Sequence, residues 1–600
     1  MLGTVNRSIL IAAAVMAAAW PGSSALAVDY KLGSANVSVD TTMSFGVGVR
    51  TKRQSCAYIS VANGGCASAL GVSPSSNTDD GNINFGRGDL YTARAKFVTD
   101  IEGKWENFGA FTRVKGFYDY IGHKRAGEVN TPYGRRPLED VTRGDAAHSA
   151  ASWNLELLDA FVYGNFDILG GNSLNVRLGR QVVNWGESLV IPGGINQYQP
   201  VDISALRTPG AEIKEALLPV EKLYVSLNLP ANMNVEGWVD FKWRSIEADP
   251  VGTLFSPLDF YGPGGAYINL GADTPVNVTQ LLRAPDDEPD DFGAFGLKFG
   301  YLADWLNDGT ELGLYYVRYS SVLPILEIQN GLPVGFGGAG SRYRMSYPEG
   351  VEIFGFSFAT VLPSIMNGTA LSGEVLYQPD LPFQISNGEL FLARQLLGGG
   401  GVSSAASSLP FDQTPGAFPS GYLNKDAVSG QIATLSILPT SDFVTSAIGA
   451  DLVFFIANWG FQWLPDISET ELRALSASRS ETQIPNPAFR GIVTPAAQPL
   501  LHPDSFSHGI RLIANAQYNN AFGTPVTLTP SVQLAFDFGT SAGFIGPGFL
   551  DDRRSLSLGL RGTYNQQWSA GLQWTATRGN AFQNIMSDRD FLTFDVSYAF

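Results

Sequence analysis

The chain has 600 residues and a formal net charge of −17, with 12% aromatic residues but only 16% charged residues. An acidic chain lacks the basic field that binding to nucleic-acid phosphates requires, so nucleic acid is excluded as a partner. Soluble domains usually have about a quarter of their residues charged, so this chain is rich in aromatic residues and poor in charge compared with them, and one large repetitive sheet is the simplest account of its length.

The first 27 residues have the features of an export signal. Arg7 provides a positive charge, Ile9–Trp20 is an apolar run, and an Ala-Leu-Ala sequence at 25–27 is the pattern that signal peptidase cleaves. The run is shorter than the roughly 20 residues that a helix needs to cross a bilayer. We expect residues 1–27 to be a signal peptide and residues 28–600 to form a single exported domain without a helical anchor.

The exported part alternates apolar and polar residues in segments of about a dozen residues. The first segments lie at 37–49 and 91–101, and the chain ends with FLTFDVSYAF, whose apolar residues are spaced two apart. A period of two is typical of strands with one apolar face. Strands in soluble sheets average about five to six residues, whereas a membrane-crossing strand needs about 9–11. The length of these segments therefore favours membrane-crossing strands.

Two cysteines, Cys56 and Cys66, lie between the first two predicted strands, in a stretch rich in Gly, Ser and Asn. In an oxidising compartment a disulfide that closes this loop is the preferred interpretation, and unbonded thiols are the alternative. Two thiolates without a nearby histidine make only half a zinc site, so we expect no metal there.

The connections between the segments alternate in length. They are short at 519–524 and 565–567 and long at 460–505, 539–552 and 578–590. Bacterial outer-membrane barrels have this plan, with short periplasmic turns and long extracellular loops. If both termini lie on the short-turn side, the number of strands is even, and the count is about 18, with 16 as the alternative. This parity requires SGQIATLSIL and FVTSAIGADLVFFIANW to be two strands joined by PTSD.

The sequence thus predicts an all-β protein, an antiparallel transmembrane β-barrel in the outer membrane of a Gram-negative bacterium. A closed barrel removes the open sheet edges that lipid does not tolerate. The outward residues would contact outer-membrane lipids and lipopolysaccharide. Phe600 resembles the C-terminal signal that the outer-membrane assembly machinery recognises, and a terminal strand in a soluble β-sandwich is the alternative.

Charged residues of both signs occupy the faces predicted to point inward. A wide barrel tolerates charges there because it encloses water or a polar plug. They could line a conduit with a selectivity field, or they could form ion pairs that brace the wall around a plug, and both interpretations stay open. The candidate lumen-lining residues are Arg94, Lys96, Arg113, Lys115, Arg177, Glu236, Asp240, Lys242, Glu374, Asp451, Arg511, Arg561 and Asp595.

The long loops are unusually apolar for connections that water surrounds. ELFLARQLLGGGGVSS (389–404) carries a short helical pattern that ends in glycines, and Ser468 with Glu471 forms a capping box. Such loops either pack on one another or fold over the lumen and offer a route to a hydrophobic ligand. We expect short helices in these loops that partly occlude the lumen.

Two acidic pairs, Asp79 with Asp80 and Asp286 with Asp287, are weak candidates for calcium. Neither has the ligand spacing of an EF-hand, so solvated charge is the preferred interpretation, and we expect no metal and no other cofactor.

One sequence, GTSAG at 539–543, matches the G-x-S-x-G pattern of hydrolases. The motif works only at a strand-to-helix elbow, and here it continues into GFIGPG, which does not favour a helix. All four histidines fall in predicted loops: His123, His148, His502 and His508. We therefore do not expect an enzyme, and a hydrolase that uses Ser541 on the outer rim is a minor alternative.

Four segments go beyond generic barrel patterning. They are NTDDGNINFGRGDL (77–90), RLGRQVVNWGESLVIPGGINQYQPVDISALRTPGAEIKEALLPV (177–220), YPEGVEIFGFSFATVL (347–362) and SGEVLYQPDLPFQIS (372–386). They resemble the exported proteobacterial family known as domain of unknown function 1302. The resemblance implies an outer-membrane barrel, often encoded beside a periplasmic lipoprotein and RND-type transporters, and it implies no established activity. Asn458 stands where the family is expected to have an acidic residue.

The sequence therefore favours a channel or transporter for a hydrophobic or amphipathic small molecule. The alternative is a structural or docking barrel that partners a periplasmic lipoprotein and an RND-type export system. An outer-membrane hydrolase is the third hypothesis.

Overall fold

The structure is a computed structural model that describes most of the chain. The described residues are 28–66, 75–125, 128–131, 134–137, 141–168, 172–191, 193–269, 280–307, 309–330, 342–365, 368–386, 390, 416–476, 502–543, 548–579 and 584–600. The predicted signal peptide lies outside them, and so does the helical pattern at 389–404 apart from Leu390.

Eighteen consecutive antiparallel strands form a closed barrel. Each strand pairs with the next along the chain, and the last pairs with the first through Thr42↔Ala599 to Arg50↔Phe591. The predicted fold and strand number are therefore confirmed. The strands are β1 (Ala35–Arg50), β2 (Leu90–Trp105), β3 (Phe108–Asp119), β4 (Trp153–Ile168), β5 (Asn172–Gln181), β6 (Val220–Leu229), β7 (Met233–Asp240), β8 (Phe295–Ala303), β9 (Thr310–Tyr319), β10 (Val351–Leu362), β11 (Thr369–Gln384), β12 (Tyr422–Pro439), β13 (Leu452–Trp463), β14 (Phe506–Gln517), β15 (Val526–Phe538), β16 (Arg554–Tyr564), β17 (Trp568–Arg578) and β18 (Phe591–Ala599).

One further strand, Val28–Leu32, folds back on the start of β1. It pairs with residues 35–39 of β1, whereas β18 pairs with residues 42–50. The short strand therefore continues the line of β18 and does not interrupt the closure of the barrel.

The connections alternate in length as the sequence predicts. Only residues 565–567 join β16 to β17, and Asn565 and Gln566 both have positive φ, as a tight hairpin requires. The long connections lie at the opposite end and contain helices and small sheets of their own. The helices are Cys56–Tyr58, Val61–Asn63, Asp80–Asn84, Tyr120–Arg125, Val141–Ser152, Gly194–Tyr198, Ile203–Leu206, Ile213–Ala216, Glu469–Ala474 and Ile585–Asp588.

The hairpin predicted between β12 and β13 is wrong in one part. FVTSA is the helix Phe443–Ala447 and not the start of a strand. Asp442 caps this helix, because its side chain accepts a hydrogen bond from the backbone N–H of Val444 (2.9 Å). The strand begins only at Leu452, and this cap explains why the apolar pattern of FVTSA does not continue into the sheet. The only other helix in a described short turn is Ala521–Gly523.

Outward side chains of the barrel are apolar and exposed. Leu558 and Leu560 of β16 and Phe594 of β18 are examples, and the intervening Ser557 points inward and is buried. No helix among the described residues is long and apolar enough to cross a membrane.

The apolar residues of the described loops pack mostly on one another. Four short strands form a sheet above the barrel, and its core includes the buried side chains of Leu258, Phe260 and Tyr343. These strands are Tyr267–Asn269, Gln280–Arg283, Ile325–Ile328 and Arg342–Ser346, and a separate hairpin joins Glu128–Thr131 to Gly134–Pro137. Mutual packing of the loops therefore accounts for much of their apolar character.

Arg50, at the loop end of β1, ties two loops to the rim of the barrel. Its fully buried guanidinium donates to the carbonyl oxygens of Asn82 (3.1 Å), Phe85 (2.6 Å) and Asp588 (2.8 Å). Leaving these buried carbonyl oxygens without a donor would cost folding free energy, because water does not reach them to replace the guanidinium.

Replacing Arg50 by methionine is expected to release both loops and leave the barrel closed. The loss of a buried charged donor costs about 3–5 kcal/mol. Limited proteolysis of the protein in vesicles should then cut near residues 82–85 and 588. The matched control is Arg554→Met, because the exposed Arg554 pairs with the exposed Asp552 at the same rim and with no other carboxylate in the described part of the chain. Equal protease resistance of the two variants would contradict the assignment.

Candidate functional site

Residues 182–219, which connect β5 to β6, fold into the barrel, and we call them the plug. One part of the plug contacts inward residues of β7, β11 and β13 through Trp185, Glu187 and Ile191. Another part contacts β2 and β3 through Thr208 and Glu215. These strands lie on different sides of the barrel, so the plug crosses the lumen.

Trp185 anchors the plug to β7. Its indole N–H donates to the carboxylate of Glu236 (2.7 Å), which also accepts from the hydroxyl of Tyr224 (2.7 Å). The ring lies 6.0 Å from those of Trp238 and Tyr315, centre to centre. An apolar body with one satisfied polar tip is how a buried tryptophan is usually accommodated.

Glu374 of β11 forms a second anchor. One carboxylate oxygen accepts from the backbone N–H of Glu187 (2.9 Å) and the other from the side-chain amide of Gln431 (3.0 Å). Gly186 and Gly194 both have positive φ, and a Cβ on Gly194 would lie 1.7 Å from the Glu374 carboxylate. The glycines of WGES and PGG are therefore needed because the plug backbone lies directly on this side chain.

Asn458 of β13 forms a third anchor. Its side-chain oxygen accepts from the backbone N–H groups of Val190 (3.3 Å) and Ile191 (3.0 Å), and its amide donates to the carbonyl oxygen of Ile432 (3.1 Å). An ionised carboxylate can accept these bonds but cannot donate the third. An asparagine at this position thus fits the wall and the plug at the same time.

Lysines hold the other part of the plug. The ammonium of Lys96 lies 2.6 Å from the carboxylate of Glu215 and donates to the carbonyl oxygen of Gly210 (2.9 Å). The ammonium of Lys115 lies 3.2 Å from both Asp202 of the plug and Glu156 of β4. These ion pairs are largely buried, so removal of either partner would leave an uncompensated charge.

Most of the predicted lumen-lining charges lie on barrel strands and face an opposite charge. Arg113 pairs with Asp100 (2.7 Å), Arg511 with Asp537 (2.7 Å), Arg561 with Asp595 (3.2 Å) and Lys222 with Asp240 (3.2 Å). Lys298 pairs with Glu236, Arg94 with Asp119, and Arg177 lies over the ring of Tyr224. This arrangement favours ion pairs that brace the wall around a plug.

Two of the predicted lumen-lining residues lie elsewhere. Lys242 follows the end of β7 and pairs with Asp291 in an exposed loop (2.6 Å). Asp451 precedes β13 at the short-turn rim, where it accepts from the backbone N–H of Asn519 (2.6 Å). Both misplacements arise because the strands are shorter here than the alternating pattern predicts.

The plug fills the half of the lumen nearest the long loops. Inward residues of β10 change from buried at Ile353 (0% exposed) to open at Val361 (52%) toward the short turns. Inward residues of β12 change in the same way, from Ala433 (1%) to Ile437 (44%). The short-turn half of the lumen is therefore an open vestibule.

Five apolar side chains that the prediction of a polar inner wall missed line one side of the vestibule. They are Leu435 and Ile437 of β12, Phe454 and Ile456 of β13, and Ile513 of β14. They share the inward face with Asn458, and we call them the apolar patch. The run LVFFIA, in which alternation stops, is the sequence signal that indicates apolar residues on both faces of β13.

Two carboxylates of the barrel wall next to the plug make Glu187 sensitive to pH. Burial, together with the nearby carboxylates of Glu311 and Glu374, raises the pKa of Glu187. Because the pKa of Glu187 is higher when the plug is anchored than when it is released, protonation of Glu187 favours the anchored plug. This contribution is complete below the ordinary pKa of a glutamate. It is lost as the pH rises through the raised pKa.

The plug is therefore expected to be held more tightly at acidic than at neutral pH. Conductance of reconstituted protein, measured from about pH 4 to pH 8, should rise with pH. In Glu187→Gln this rise should be reduced, because the amide does not ionise. A pH response that is unchanged in the variant would contradict the assignment.

The calcium candidates have other contacts in the structure. Asp79 and Asp80 are buried, and one oxygen of each lies within 4.8 Å of one of Asp259. Asp259 accepts from the backbone N–H groups of Asp79 (3.1 Å) and Asp80 (3.3 Å), at the start of the helix Asp80–Asn84. Asp286 pairs with Arg283 (2.6 Å) and Asp287 with Arg344 (2.8 Å). These contacts give the carboxylates of Asp259, Asp286 and Asp287 structural roles.

Cys56 and Cys66 are joined by a disulfide, with 5.1 Å between their Cα atoms. Asp79 holds the loop that they close, because it accepts from the backbone N–H of Ser60 (2.7 Å) and the amide of Asn63 (3.0 Å). The cross-link therefore stiffens a loop at the rim of the barrel and not the plug.

The groups of the hydrolase hypothesis do not have their predicted setting. Ser541 is buried, and its hydroxyl oxygen accepts from the backbone N–H of Phe549 (2.9 Å). The prediction that all four histidines lie in loops is wrong for one of them, because His508 belongs to the strand β14, whereas the helices of His123 and His148 are part of the long connection between β3 and β4.

The fold and the site together define the protein as a closed 18-stranded antiparallel β-barrel with an internal plug. The chain belongs to the family described as protein of unknown function (DUF1302), whose model matches residues 8–600. The resemblance inferred from the four sequence segments is therefore confirmed. Sequence comparison with curated proteins finds no match.

Several solved structures have a similar fold. OccAB1 of Acinetobacter baumannii is 11% identical, with a TM-score of 0.41 over 97% of this chain and 99% of its own. OccK9 (OpdG) of Pseudomonas aeruginosa is 10% identical, with a TM-score of 0.39 over 94% of this chain and 98% of its own. OccK1 (OpdK) of the same organism is 8% identical, with a TM-score of 0.39 over 95% and 99%. Sequence identities of 8–11% with TM-scores near 0.4 do not indicate the function of this chain.

Proposed function

We propose that the protein is an outer-membrane channel or transporter that passes a hydrophobic or amphipathic small molecule and is gated by the plug. The observation that carries the proposal is the division of the lumen into a filled half and an open vestibule with an apolar side. A barrel with a purely structural function would need neither a vestibule nor an internal segment that is anchored to the wall at several places.

The outer face supports a membrane location. Side chains such as Leu155 and Leu314 are exposed on strands of about the length that a tilted strand needs to cross a bilayer. Contact with lipid removes the free-energy cost of exposing this much apolar surface to water. Long loops then face the outside and short turns the periplasm.

The plug packs on the wall through an apolar cluster around Trp185 and Ile195, and its other anchors are polar, which suits a gate. Glu374, Asn458 and Lys96 each hold the plug through hydrogen bonds or ion pairs, which water can replace when the plug moves. A hydrogen bond that is exchanged for one to water changes the free energy by only about 0.5–1.5 kcal/mol. Movement of the plug would therefore not require the barrel itself to open.

A docking barrel is the second candidate, and one feature favours it. Four successive described short turns carry an exposed large apolar residue: Trp305, Ile365, Phe443 and Phe522. A row of such side chains on the periplasmic rim suits a periplasmic partner, such as a lipoprotein of an RND-type export system.

Solute uptake by reconstituted vesicles separates the two candidates. The test compares a membrane-impermeant amphiphile, such as a bile-salt sulfonate, with sucrose as a hydrophilic control. We expect vesicles that contain the protein to take up the amphiphile faster than protein-free vesicles. The increase in the rate of sucrose uptake should be smaller. If neither solute enters, the docking function is favoured and the channel proposal fails.

A further inference from the structure

We propose that the apolar patch in the vestibule is a binding site for the apolar body of an amphipathic small molecule. This inference deepens the proposed function and rests on it, because it names the site at which the substrate would bind below the plug.

The apolar patch is continuous across three strands. Leu435, Ile456 and Ile513 are cross-strand partners in one row, and Ile437 and Phe454 are partners in the next. Side chains that are paired in this way lie about 4.5–5.5 Å apart at their Cβ atoms, so the five form one surface.

Lipid does not account for this surface. The barrel is closed by hydrogen bonds between β1 and β18, so the membrane does not reach its inner face from the side. Ile437 is 44% exposed although it points into the lumen. Apolar side chains in this position favour an apolar occupant that arrives through the lumen.

On the next strands, β15 to β17, the inward side chains in the row of Ile513 are polar. Ile513 pairs with Gln533, which pairs with Ser557, and Ser557 pairs with Thr575. Arg561 and Asp595 also lie on this wall, and Arg561 is partly exposed. An occupant that rests on the apolar patch thus has hydroxyl and charged groups beside it, which suits a molecule with a polar end.

The adjacent residues Phe454 and Phe455 provide a matched pair for a test. Phe454 points into the lumen and Phe455 points outward, because β13 keeps its register from Leu452 to Trp463. Replacing each by alanine removes the same side chain from opposite faces of one strand.

The experiment is photolabelling of the protein in lipid vesicles with an alkyl sulfonate that carries a diazirine, followed by peptide mapping. We expect labels at residues 435–437 and 454–456 of the natural protein. Phe454→Ala should reduce this labelling about five-fold, as expected for the loss of one buried aromatic contact, and Phe455→Ala should leave it unchanged. Heat-dependent gel mobility verifies that both variants are folded.

Each outcome decides one part of the account. Equal labelling of the natural protein and Phe454→Ala, or labels confined to outward residues, would overturn the site. Labelling at the apolar patch without uptake of the amphiphile would support the site and contradict the transport function. Uptake without labelling at the apolar patch would support transport and reject this site.

Discussion

Replacing residues 183–218 by a short Gly-Ser loop is expected to turn the protein into a wide and permanently conducting pore. Gln181 and Val220 are cross-strand partners, so a short loop can join β5 to β6 without strain. Barrels of 16–18 strands without an internal obstruction enclose an aqueous channel, and we expect single-channel conductance to rise about ten-fold.

Conductance in planar bilayers measures this effect. The variant should keep the heat-dependent gel mobility of a folded barrel, because every wall hydrogen bond is retained. A folded variant with the conductance of the natural protein would show that residues 182–219 do not obstruct the lumen.

The second large effect is expected at Gly194. Alanine at this position would put a Cβ 1.7 Å from the Glu374 carboxylate, and it would also have to adopt a φ of +70. Positive φ alone costs an L-residue about 1–3 kcal/mol, and the clash adds to this cost. The plug segment is therefore expected to leave Glu374, and the open fraction of the channel should rise in bilayer recordings.

Gly193 provides the matched control. It also has a positive φ (+107), but nothing lies within 4 Å of its Cβ position. Gly193→Ala should therefore show the effect of backbone strain alone. Adding Glu374→Ala to Gly194→Ala removes the clash, so the two changes should not be additive. An open fraction of Gly194→Ala equal to that of the natural protein would contradict the close contact with Glu374.

The alternation of apolar and polar residues was sufficient to predict the barrel and its strand number. A lipid-facing residue must be apolar whatever its partner is, so each strand reveals its outward face independently of the others. The prediction of a strand at FVTSA is wrong because a single capping residue, Asp442, starts a helix there. Local hydrogen bonds of this kind compete with the hydrophobic pattern.

The plug could not be derived from periodicity. Its contacts join residues far apart in the sequence, such as Glu187 with Glu374 and Ile191 with Asn458. The sequences WGES and PGG carry no signal for the Glu374 side chain against which their glycines pack. Likewise, the sequence identified Lys96 and Lys115 as inward charges, whereas their partners on the plug became visible only in the structure.

The most direct test of the central claim is a disulfide cross-link between the plug and the wall. A Cβ on Gly46 of β1 would lie 2.7 Å from the Cβ of Pro209 in the plug, so a small shift brings two cysteines to bonding distance. In a background of Cys56→Ser and Cys66→Ser, Gly46→Cys with Pro209→Cys is expected to cross-link in membranes and to migrate faster on non-reducing gels. The control pairs Pro209→Cys with Gly103→Cys, on the outer face of β2. Cross-linking of the control pair, or no cross-linking of the Gly46 pair in a folded barrel, would contradict a plug inside the lumen.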